Sequence, residues 1–274
     1  MNRDIFAIGL DVGTGSVKVV SDSNSLNFPS IYAYRSSTSW EKTVGVIKTV
    51  GETAVEMKGH PDAVIIRPVG EGKPIHHEGF GELVKFAVES ISKDASFSKL
   101  IIVIGLPYLA DKKQRSQLSE LVTKITGAYR VVVLPQVIGT LRHMKMSDGI
   151  VVSIGQGTTE IVVFENEKPI HGTSIPQATD FLTQSFGEFA HLDYSIFLKK
   201  EVRDKVDKLA DIISNRITLL QGQLDRPFPL ILSGGAVHIP GMVKSLKKKI
   251  NADIVIPDDP VMSNANGLFN IASE

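Results

Sequence analysis

Residues 8–20, IGLDVGTGSVKVV, form an apolar run that breaks into a glycine-rich turn and then resumes as a second apolar run. The pattern predicts two short strands joined by a tight turn, because glycine adopts the backbone angles that such turns need. A simple hairpin requires only the glycines. The acid Asp11 and the base Lys18 need another explanation, and their place beside a glycine turn indicates a bound ligand.

The same pattern returns about half a chain later. Residues 149–164, GIVVSIGQGTTEIVVF, again run from strand to glycine turn to strand, and residues 229–235, PLILSGG, read as a buried strand that ends in glycines. One repeat at this spacing predicts two related lobes, since a solenoid needs several repeats of about 20–50 residues. Strands alternate with helical patterns in both halves, so the predicted fold class is α/β.

Hydrophobic periodicity along the rest of the chain predicts further elements. Apolar residues at helical spacing predict helices at 79–93, 111–126 and 197–222. A near-continuous apolar run at 100–107 is typical of a strand that is buried on both faces. The remaining predictions are strands at 28–34, 44–50, 60–69, 130–134 and 252–257, a polar loop at 35–43, and helices at 51–58, 136–144, 177–190, 241–250 and 263–272.

Composition excludes several classes of function. The 274 residues include 30 Lys and Arg against 30 Asp and Glu, so no basic footprint for direct nucleic-acid binding is expected. No apolar run approaches the ~20 residues of a membrane helix, the first residues do not read as a secretion signal, and membrane association is not evident. The absence of cysteine excludes disulfides and thiolate metal sites and fits the cytoplasmic location that we expect.

Three glycine turns together predict a phosphate-binding site. Backbone N–H groups in such turns form anion-binding nests, and one loop from each lobe would grip a phosphate chain from both sides. Each turn alone is also compatible with an ordinary hairpin or strand–helix turn. The chain has neither a Walker A sequence nor a G-x-G-x-x-G fingerprint, which argues against a P-loop protein and a Rossmann oxidoreductase. The predicted phosphate-binding residues are Gly13, Thr14, Gly15, Ser16, Lys18, Gly155, Gln156, Gly157, Thr158 and Thr159, and the third turn contributes Gly234, Gly235 and Ala236 for a base or ribose.

Asp11 and Lys18 have distinct predicted roles in this site. Asp11 is suited to hold Mg²⁺ through water, because Mg²⁺ keeps much of its hydration shell beside phosphates. Lys18 lies in the outgoing strand, within reach of a β- or γ-phosphate. The alternatives are an Asx turn for Asp11 and a solvated strand lysine for Lys18.

These motifs resemble those of the actin-like ATPase superfamily. DVGTGSVK (11–18) and SIGQGTTE (153–160) are similar to its two phosphate loops, and LILSGGAVHIPGMVKSL (230–246) is similar to its adenosine motif. Residues 50–75 resemble the bacterial cell-shape actin MreB. Residues 28–34, FPSIYAY, are common to that family and to plasmid-partitioning filament proteins of the ParM and AlfA type.

The resemblance implies a two-lobed actin-like α/β fold, of the duplicated ribonuclease H-like kind, with central mixed sheets and with ATP and Mg²⁺ in a cleft between the lobes. It implies a lobe I at residues 1–145, with a small subdomain IB at about 33–72, and a lobe II at 146–274. The short separation between the motifs implies that subdomain IIB is reduced or absent around 181–226, as in AlfA-type filaments.

The resemblance also assigns further residues to the site. In actin relatives a glutamine or glutamate at a helix start orients the attacking water, and LPQVIGTL (134–141) places Gln136 there. A helix in relatives carries charged side chains that face the sugar, which implies this role for Lys205 and Asp207. The alternatives are a capping or solvated amide for Gln136 and a solvated charged face for the other two.

Two positions depart from the superfamily pattern. Ser153 stands where the second phosphate loop usually opens with Asp, and Gln156 stands where many relatives have Gly. Asp11 is then the main carboxylate left in the site. Nucleotide binding is expected to survive, since backbone amides and Mg²⁺ do most of that work, but hydrolysis is expected to be slow.

The function implied by the resemblance is an ATP-binding, slowly ATP-hydrolysing actin homologue that polymerises head to tail with itself, with an adaptor protein or cargo as a further partner. One alternative is a nucleotide-binding adaptor or scaffold of the FtsA/PilM kind with weak hydrolysis, which Ser153 favours. A small-molecule kinase is the other alternative, but it would need an Asp where Gln136 stands. Trp40, alone in a polar loop, is either part of a contact surface or buried within its own subdomain.

Overall fold

The computed structural model describes residues 4–39 and 42–274, so Trp40 and the hypothesis about it lie outside the described residues. The strands are β1 (Ile5–Val12), β2 (Ser16–Val20), β3 (Ser25–Pro29), β4 (Tyr32–Ser39), β5 (Lys42–Val50), β6 (Ala63–Ile66), β7 (Val69–Gly70), β8 (Lys73–Pro74), β9 (Lys99–Leu106), β10 (Arg130–Pro135), β11 (Gly149–Ile154), β12 (Thr159–Glu165), β13 (Lys168–Ile175), β14 (Leu230–Ser233) and β15 (Ile254–Val255). The α-helices are α1 (Gly51–Glu56), α2 (His77–Ser92), α3 (Lys112–Thr126), α4 (Val137–His143), α5 (Asp180–Thr183), α6 (Lys200–Gln221), α7 (Met242–Lys249) and α8 (Ser263–Ala272).

Two five-stranded sheets repeat one topology. The first has the strand order β3-β2-β1-β9-β10 and the second has the order β13-β12-β11-β14-β15. In each sheet the first two strand pairs are antiparallel and the last two pairs are parallel. The repeated glycine turn thus corresponds to two related sheets, with β1–β2 and β11–β12 as the equivalent hairpins.

The chain between β3 and β9 leaves the first sheet and forms a small one of strand order β5-β4-β6, followed by the β7–β8 hairpin. The single strand predicted at 28–34 is wrong. Ser30 and Ile31 belong to no strand and separate β3 from β4. β3 pairs with β2, whereas β4 pairs with β5 and β6, so the chain changes sheets within a continuous apolar stretch. The polar loop predicted at 35–43 is also wrong, since its described residues belong to β4 and β5.

Amphipathic helices cover the sheets. Apolar residues of α2 and α3 pack on the first sheet, and those of α6 and α7 pack on the second. Local sequence sets the ends of α3: the Asp111 carboxylate accepts the Gln114 N–H in a capping box, and Gly127 ends the helix with a left-handed φ of 66°. Helices α4 and α8 lie between the two sheets, where their apolar faces join one core with β9, β11, β12 and β14.

Three glycines bring α4, α8 and β1 into backbone contact. A Cβ atom on Gly267 would overlap the carbonyl oxygen of Gly139, and one on Gly139 would overlap the carbonyl oxygen of Asn264. A Cβ atom on Gly9 would overlap the backbone of Phe269. The C-terminal helix α8 thus packs against the first sheet, although it follows the second sheet in sequence. The division of the chain at residue 145 stays a prediction.

Residues 176–229 contain helices and no strand. The helix predicted at 177–190 is wrong: α5 has only four residues, and short 3₁₀ helices follow at Gln184–Phe186, Ala190–Leu192 and Tyr194–Leu198. Gly187 has a φ of 115°, a conformation that a continuous helix cannot contain. The long helix predicted at 197–222 is present as α6, and β13 is a strand that the sequence patterns did not reveal.

Candidate functional site

A cavity of about 440 Å³ lies where the glycine turns of the two sheets meet. Its volume is in the range of small-ligand sites, about 300–1,000 Å³. The β1–β2 turn and the β11–β12 turn both line it. The third turn follows β14, which pairs in parallel with β11 in the register Ser153 to Ser233, so both strands end at the same edge of the second sheet.

Most of the predicted site residues lie around this cavity. The structure brings together Asp11, Gly13, Thr14, Gly15, Ser16, Lys18, Gln136, Ser153, Gly155, Gln156, Gly157, Thr158, Gly234, Gly235 and Ala236. Three turns that are far apart in sequence thus converge on one space, as the sequence predicted. The role of each side chain stays a prediction.

Three predicted residues do not line the cavity. The hydroxyl of Thr159 donates to the backbone oxygen of Gln177. The Lys205 ammonium donates to the Ser185 hydroxyl at 2.9 Å, and the Asp207 carboxylate accepts the Ser245 hydroxyl. The contacts with nucleotide that we predicted for these side chains therefore gain no support from their placement.

The β1–β2 turn and the β11–β12 turn touch each other. A Cβ atom on Gly15 would overlap the Gln156 side chain, and one on Gly157 would lie 2.7 Å from the Thr14 hydroxyl oxygen. Within the described part of the chain, several backbone N–H groups of these loops donate to no protein acceptor, namely those of Thr14, Gly15, Gln156 and Gly157. Unpaired N–H groups at glycine-rich turns are the donors that bind phosphate oxygens.

Asp11 lies at the floor of the site. It is 4% exposed, and its Oδ2 atom accepts the Lys18 ammonium at 3.3 Å. No group of three or more His, Cys, Asp or Glu residues capable of holding a metal occurs among the described residues. A buried carboxylate that lines this cavity fits Mg²⁺, which takes one or two carboxylates, several waters and the phosphates of a nucleotide.

Gln136 is fixed at the end of β10, immediately before α4. Its backbone N–H donates to the oxygen of Leu106 at 2.9 Å, and its side chain lines the cavity. The Gln136 side chain occupies space that the absence of a side chain at Gly105 leaves open. A Cβ atom on Gly105 would lie 2.6 Å from the Gln136 Cβ. The backbone and Cβ of Gln136 are therefore fixed, and its side chain lines the cavity.

Glu160 is a second buried carboxylate beside this site, to which the sequence motifs assigned no role. It lies opposite Ser153 in the β11–β12 pair and is fully buried. Its Oε1 atom accepts the Tyr108 backbone N–H at 2.6 Å, and its Oε2 atom has no hydrogen-bond partner within the described residues. Burial raises the pKa of Glu160 to about 7, although the Tyr108 N–H and the Gln136 amide lower it. The signal in the sequence was an acid directly before the apolar run IVVF, at 161–164.

An ion pair joins the small sheet to the second half of the chain. Arg67 Nη2 lies 2.7 Å from Asp180 Oδ2, and the Asp180 Oδ1 atom accepts the Gln156 side-chain N–H at 2.9 Å. The Asp180 backbone N–H donates to the Gln156 oxygen. Gln156, which departs from the superfamily pattern, therefore ties the second phosphate loop to the residue that holds Arg67.

The short 3₁₀ helices form the remaining wall of the cavity. Its side chains are His191, Leu192, Tyr194 and Phe197, none of which the sequence motifs singled out. Burial, and then the charge of Arg67, lower the pKa of His191 to about 4, so its imidazole is neutral near pH 7. This wall is less polar than the phosphate loops.

Comparison with known proteins identifies the family. The sequence profile of the MreB/Mbl protein family matches residues 6–223 of the chain. The chain belongs to the MreB/Mbl family.

Among individual members of the MreB/Mbl family, the chain is similar to cell shape-determining protein Mbl of Bacillus cereus, with 25% identity over 209 residues. It is similar to the same protein of Bacillus subtilis, with 25% identity over 207 residues. Each match covers 73% of this chain and 60% of the relative, so the chain spans about 60% of the length of the curated relatives.

Solved structures confirm the actin-like fold of this MreB/Mbl chain. A MamK double helical filament has a TM-score of 0.85 at 18% identity and covers 99% of both chains. MreB 5 of Spiroplasma citri bound to AMPPNP has a TM-score of 0.80 at 17% identity and covers 100% of this chain and 97% of its own. The apo psk41 ParM protein has a TM-score of 0.70 at 17% identity and covers 98% of this chain and 97% of its own. The predicted family resemblance and fold class are both confirmed.

No helix among the described residues of this MreB/Mbl chain has the length and apolar character to cross a membrane.

Glu160 gives the MreB/Mbl chain a testable pH dependence of stability. Because its pKa is raised to about 7 in the folded state from 4.5, the folded protein binds more protons than the unfolded chain between these values. The free energy of unfolding should therefore fall by about 3 kcal/mol as pH rises from 4.5 to 7. Urea unfolding of wild type and Glu160→Gln at several pH values measures this.

The variant should lose this part of the pH dependence. Glu165→Gln, on the same strand, is the control, since Glu165 is partly exposed and pairs with Arg226 at 3.0 Å. The same slope in wild type and Glu160→Gln would show that Glu160 does not titrate in this range.

Proposed function

We propose that this chain binds ATP with Mg²⁺ between its two sheets and assembles head to tail into filaments. The observation that carries nucleotide binding is the pair of touching glycine turns, whose unpaired N–H groups share one cavity with the buried Asp11 carboxylate. Phosphate oxygens would accept these N–H groups, and Lys18 would approach a β- or γ-phosphate. The cavity volume and the third glycine turn support a nucleotide as the ligand.

We further propose slow hydrolysis of the bound ATP. Gln136 would orient a water molecule, whose oxygen bonds to the γ-phosphorus while the bond to the bridging oxygen breaks. The electron pair leaves with ADP, and the water proton ends on inorganic phosphate. A neutral amide positions water without taking its proton, and Ser153 supplies no charge, which supports a low rate.

Assembly is proposed from kinship and from the fold. The compared MamK structure is a filament, and the compared MreB 5 structure binds AMPPNP. In a head-to-tail contact, one surface of each subunit meets a different surface of the next, which gives an open filament. The Arg67–Asp180 ion pair supports a closed cleft as the assembling form. An adaptor protein or a cargo is a further proposed partner. We also propose the lobe boundary at residue 145 and a IIB subdomain that is reduced or absent around 181–226.

Two alternative functions depend on particular positions. A nucleotide-binding adaptor or scaffold with weak hydrolysis is favoured by Ser153, because this position lacks the expected acid. A small-molecule kinase would need a carboxylate near the substrate hydroxyl, and the position of Gln136 holds an amide instead.

Sedimentation and electron microscopy of the purified chain with ATP, ADP or no nucleotide test the proposal. We expect filaments with ATP and fewer without it, accompanied by slow phosphate release. Gln136→Ala should still assemble but release phosphate more slowly, by on the order of tenfold or more. The reason is that the attacking water would be less ordered.

The outcomes separate the three functions. Monomers under all conditions, with ATP bound, would replace the filament proposal with the adaptor. ATP consumption that depends on an added metabolite would favour the kinase. Unchanged phosphate release by Gln136→Ala would remove Gln136 from the mechanism.

A further inference from the structure

Glu160 and Gln136 are held by the same short segment of chain. The backbone oxygen of Leu106 accepts the Gln136 N–H at 2.9 Å, and the backbone N–H of Tyr108 donates to Glu160 at 2.6 Å. Both positions are thus set by the residues at the end of β9. Leu106 ends β9 and Tyr108 lies two residues later, so the two groups are anchored within three consecutive residues.

One carboxylate oxygen of Glu160 lacks a hydrogen bond. The Oε1 atom is used by Tyr108, while Oε2 is buried and has no hydrogen-bond partner within the described residues. An unpaired buried carboxylate oxygen is costly, so a nearby donor is strongly favoured. Gln136 is the neighbouring side chain with N–H groups, and it lies close enough to lower the pKa of Glu160.

We propose that Glu160 is a positioning residue for ATP hydrolysis, in which its ionised carboxylate accepts the side-chain N–H of Gln136 and turns the Gln136 carbonyl oxygen toward the attacking water. An amide has a donor end and an acceptor end, so fixing one end fixes the other. This inference rests on the proposed hydrolysis and adds the group that orients Gln136.

Protonation of Glu160 would reverse the orientation. A protonated carboxyl donates through its O–H, and the Gln136 carbonyl oxygen would then turn inward to accept it. The amide N–H₂ group would face the cavity and could not accept a proton of the water. Hydrolysis would therefore depend on the charge of Glu160 while nucleotide binding would not.

The charged groups around Glu160 place its protonation near neutral pH. Besides burial, the Asp11 carboxylate raises the pKa of Glu160 and the Arg115 guanidinium lowers it, and the resulting pKa is about 7. Lys18 pairs with Asp11 at 3.3 Å and limits the effect of that negative charge. The rate of phosphate release should rise as pH increases through about 7.

The test measures kcat and KM for ATP against pH in wild type, Glu160→Gln and Glu165→Gln. In Glu160→Gln, the new side-chain amide would keep the Tyr108 bond and present an N–H₂ group to Gln136, so this variant should behave as the protonated protein. We expect kcat to fall on the order of tenfold above about pH 7.5, with KM unchanged and the rise with pH lost. Glu165→Gln should keep the wild-type profile. A Glu160→Gln variant with the wild-type profile would overturn the proposal.

A second measurement keeps the proposal separate from the proposed hydrolysis. If the wild type releases no phosphate, the titration of Glu160 is read from the pH dependence of unfolding in wild type and Gln136→Ala. Loss of the Gln136 donor should move the midpoint of the Glu160 titration to higher pH. An unchanged midpoint would show that the two side chains do not interact, and would overturn the proposal whatever the rate of hydrolysis.

Discussion

Replacing Gly267 with alanine is expected to destabilise the whole fold. A Cβ atom at this position would overlap the carbonyl oxygen of Gly139, at the point where α8 crosses α4 between the two sheets. Neither backbone can yield, because α4 and α8 are each packed against a sheet and share one core. We expect a loss of about 3 kcal/mol or more, which lowers the unfolding temperature by roughly 6–12 °C. Thermal unfolding followed by circular dichroism measures it.

Gly81→Ala is the matched control for this prediction. Gly81 also lies within a helix, α2, and a Cβ atom there would meet only the Ile125 side chain at 3.5 Å, an ordinary contact. Alanine favours helix, so this variant should be stabilised by about 0.5–1 kcal/mol. Equal effects of the two substitutions would show that α4 and α8 separate at no cost.

Replacing Asp11 with asparagine is expected to remove the dependence of ATP binding on Mg²⁺. The proposed role of Asp11 is to hold the waters of the metal, and loss of such outer-shell partners typically weakens metal affinity about 10–100-fold. The variant also leaves Lys18 without its partner at 3.3 Å. Lys18 would keep its proposed contact with the phosphates. ATP affinity should fall about 10–100-fold with Mg²⁺ present and change little with EDTA.

Fluorescence titration of a labelled ATP analogue, with Mg²⁺ or with EDTA, measures this difference. Asp22→Asn is the control, since Asp22 is exposed in the turn between β2 and β3. It should bind as the wild type does in both conditions. If Asp11→Asn keeps the full effect of Mg²⁺, the metal is held elsewhere and Asp11 serves only as the partner of Lys18.

The regular elements and the glycine turns could be predicted from the sequence because their signals are local. The last helix, predicted at 263–272, is confirmed with the same bounds. The three turns carry their own glycines and lie where strands end. Segment 184–198 could not be predicted in this way, because its 3₁₀ turns follow from packing and from the backbone at Gly187.

Glu160 illustrates why the site was only partly predictable. An acid in a strand is usually solvated, and nothing near it in sequence shows that Tyr108 and Gln136 surround it. Likewise, the local sequence does not explain why Gln156 stands where many relatives have Gly. In the structure the Gln156 side chain donates to Asp180, which pairs with Arg67. Each of these groups is defined by contacts between distant segments.

Local sequence was sufficient for the duplicated strand–turn–strand units, the family and the glycines that line the cavity, since backbone freedom and hydrophobic period are properties of short segments. Three-dimensional packing decided which carboxylates are buried, and it brought α8 back to the first sheet. It also placed Lys205 and Asp207 in hydrogen bonds with side chains outside the cavity lining. Burial and charge interactions depend on which segments meet in space, and a pattern of neighbouring residues does not contain that information.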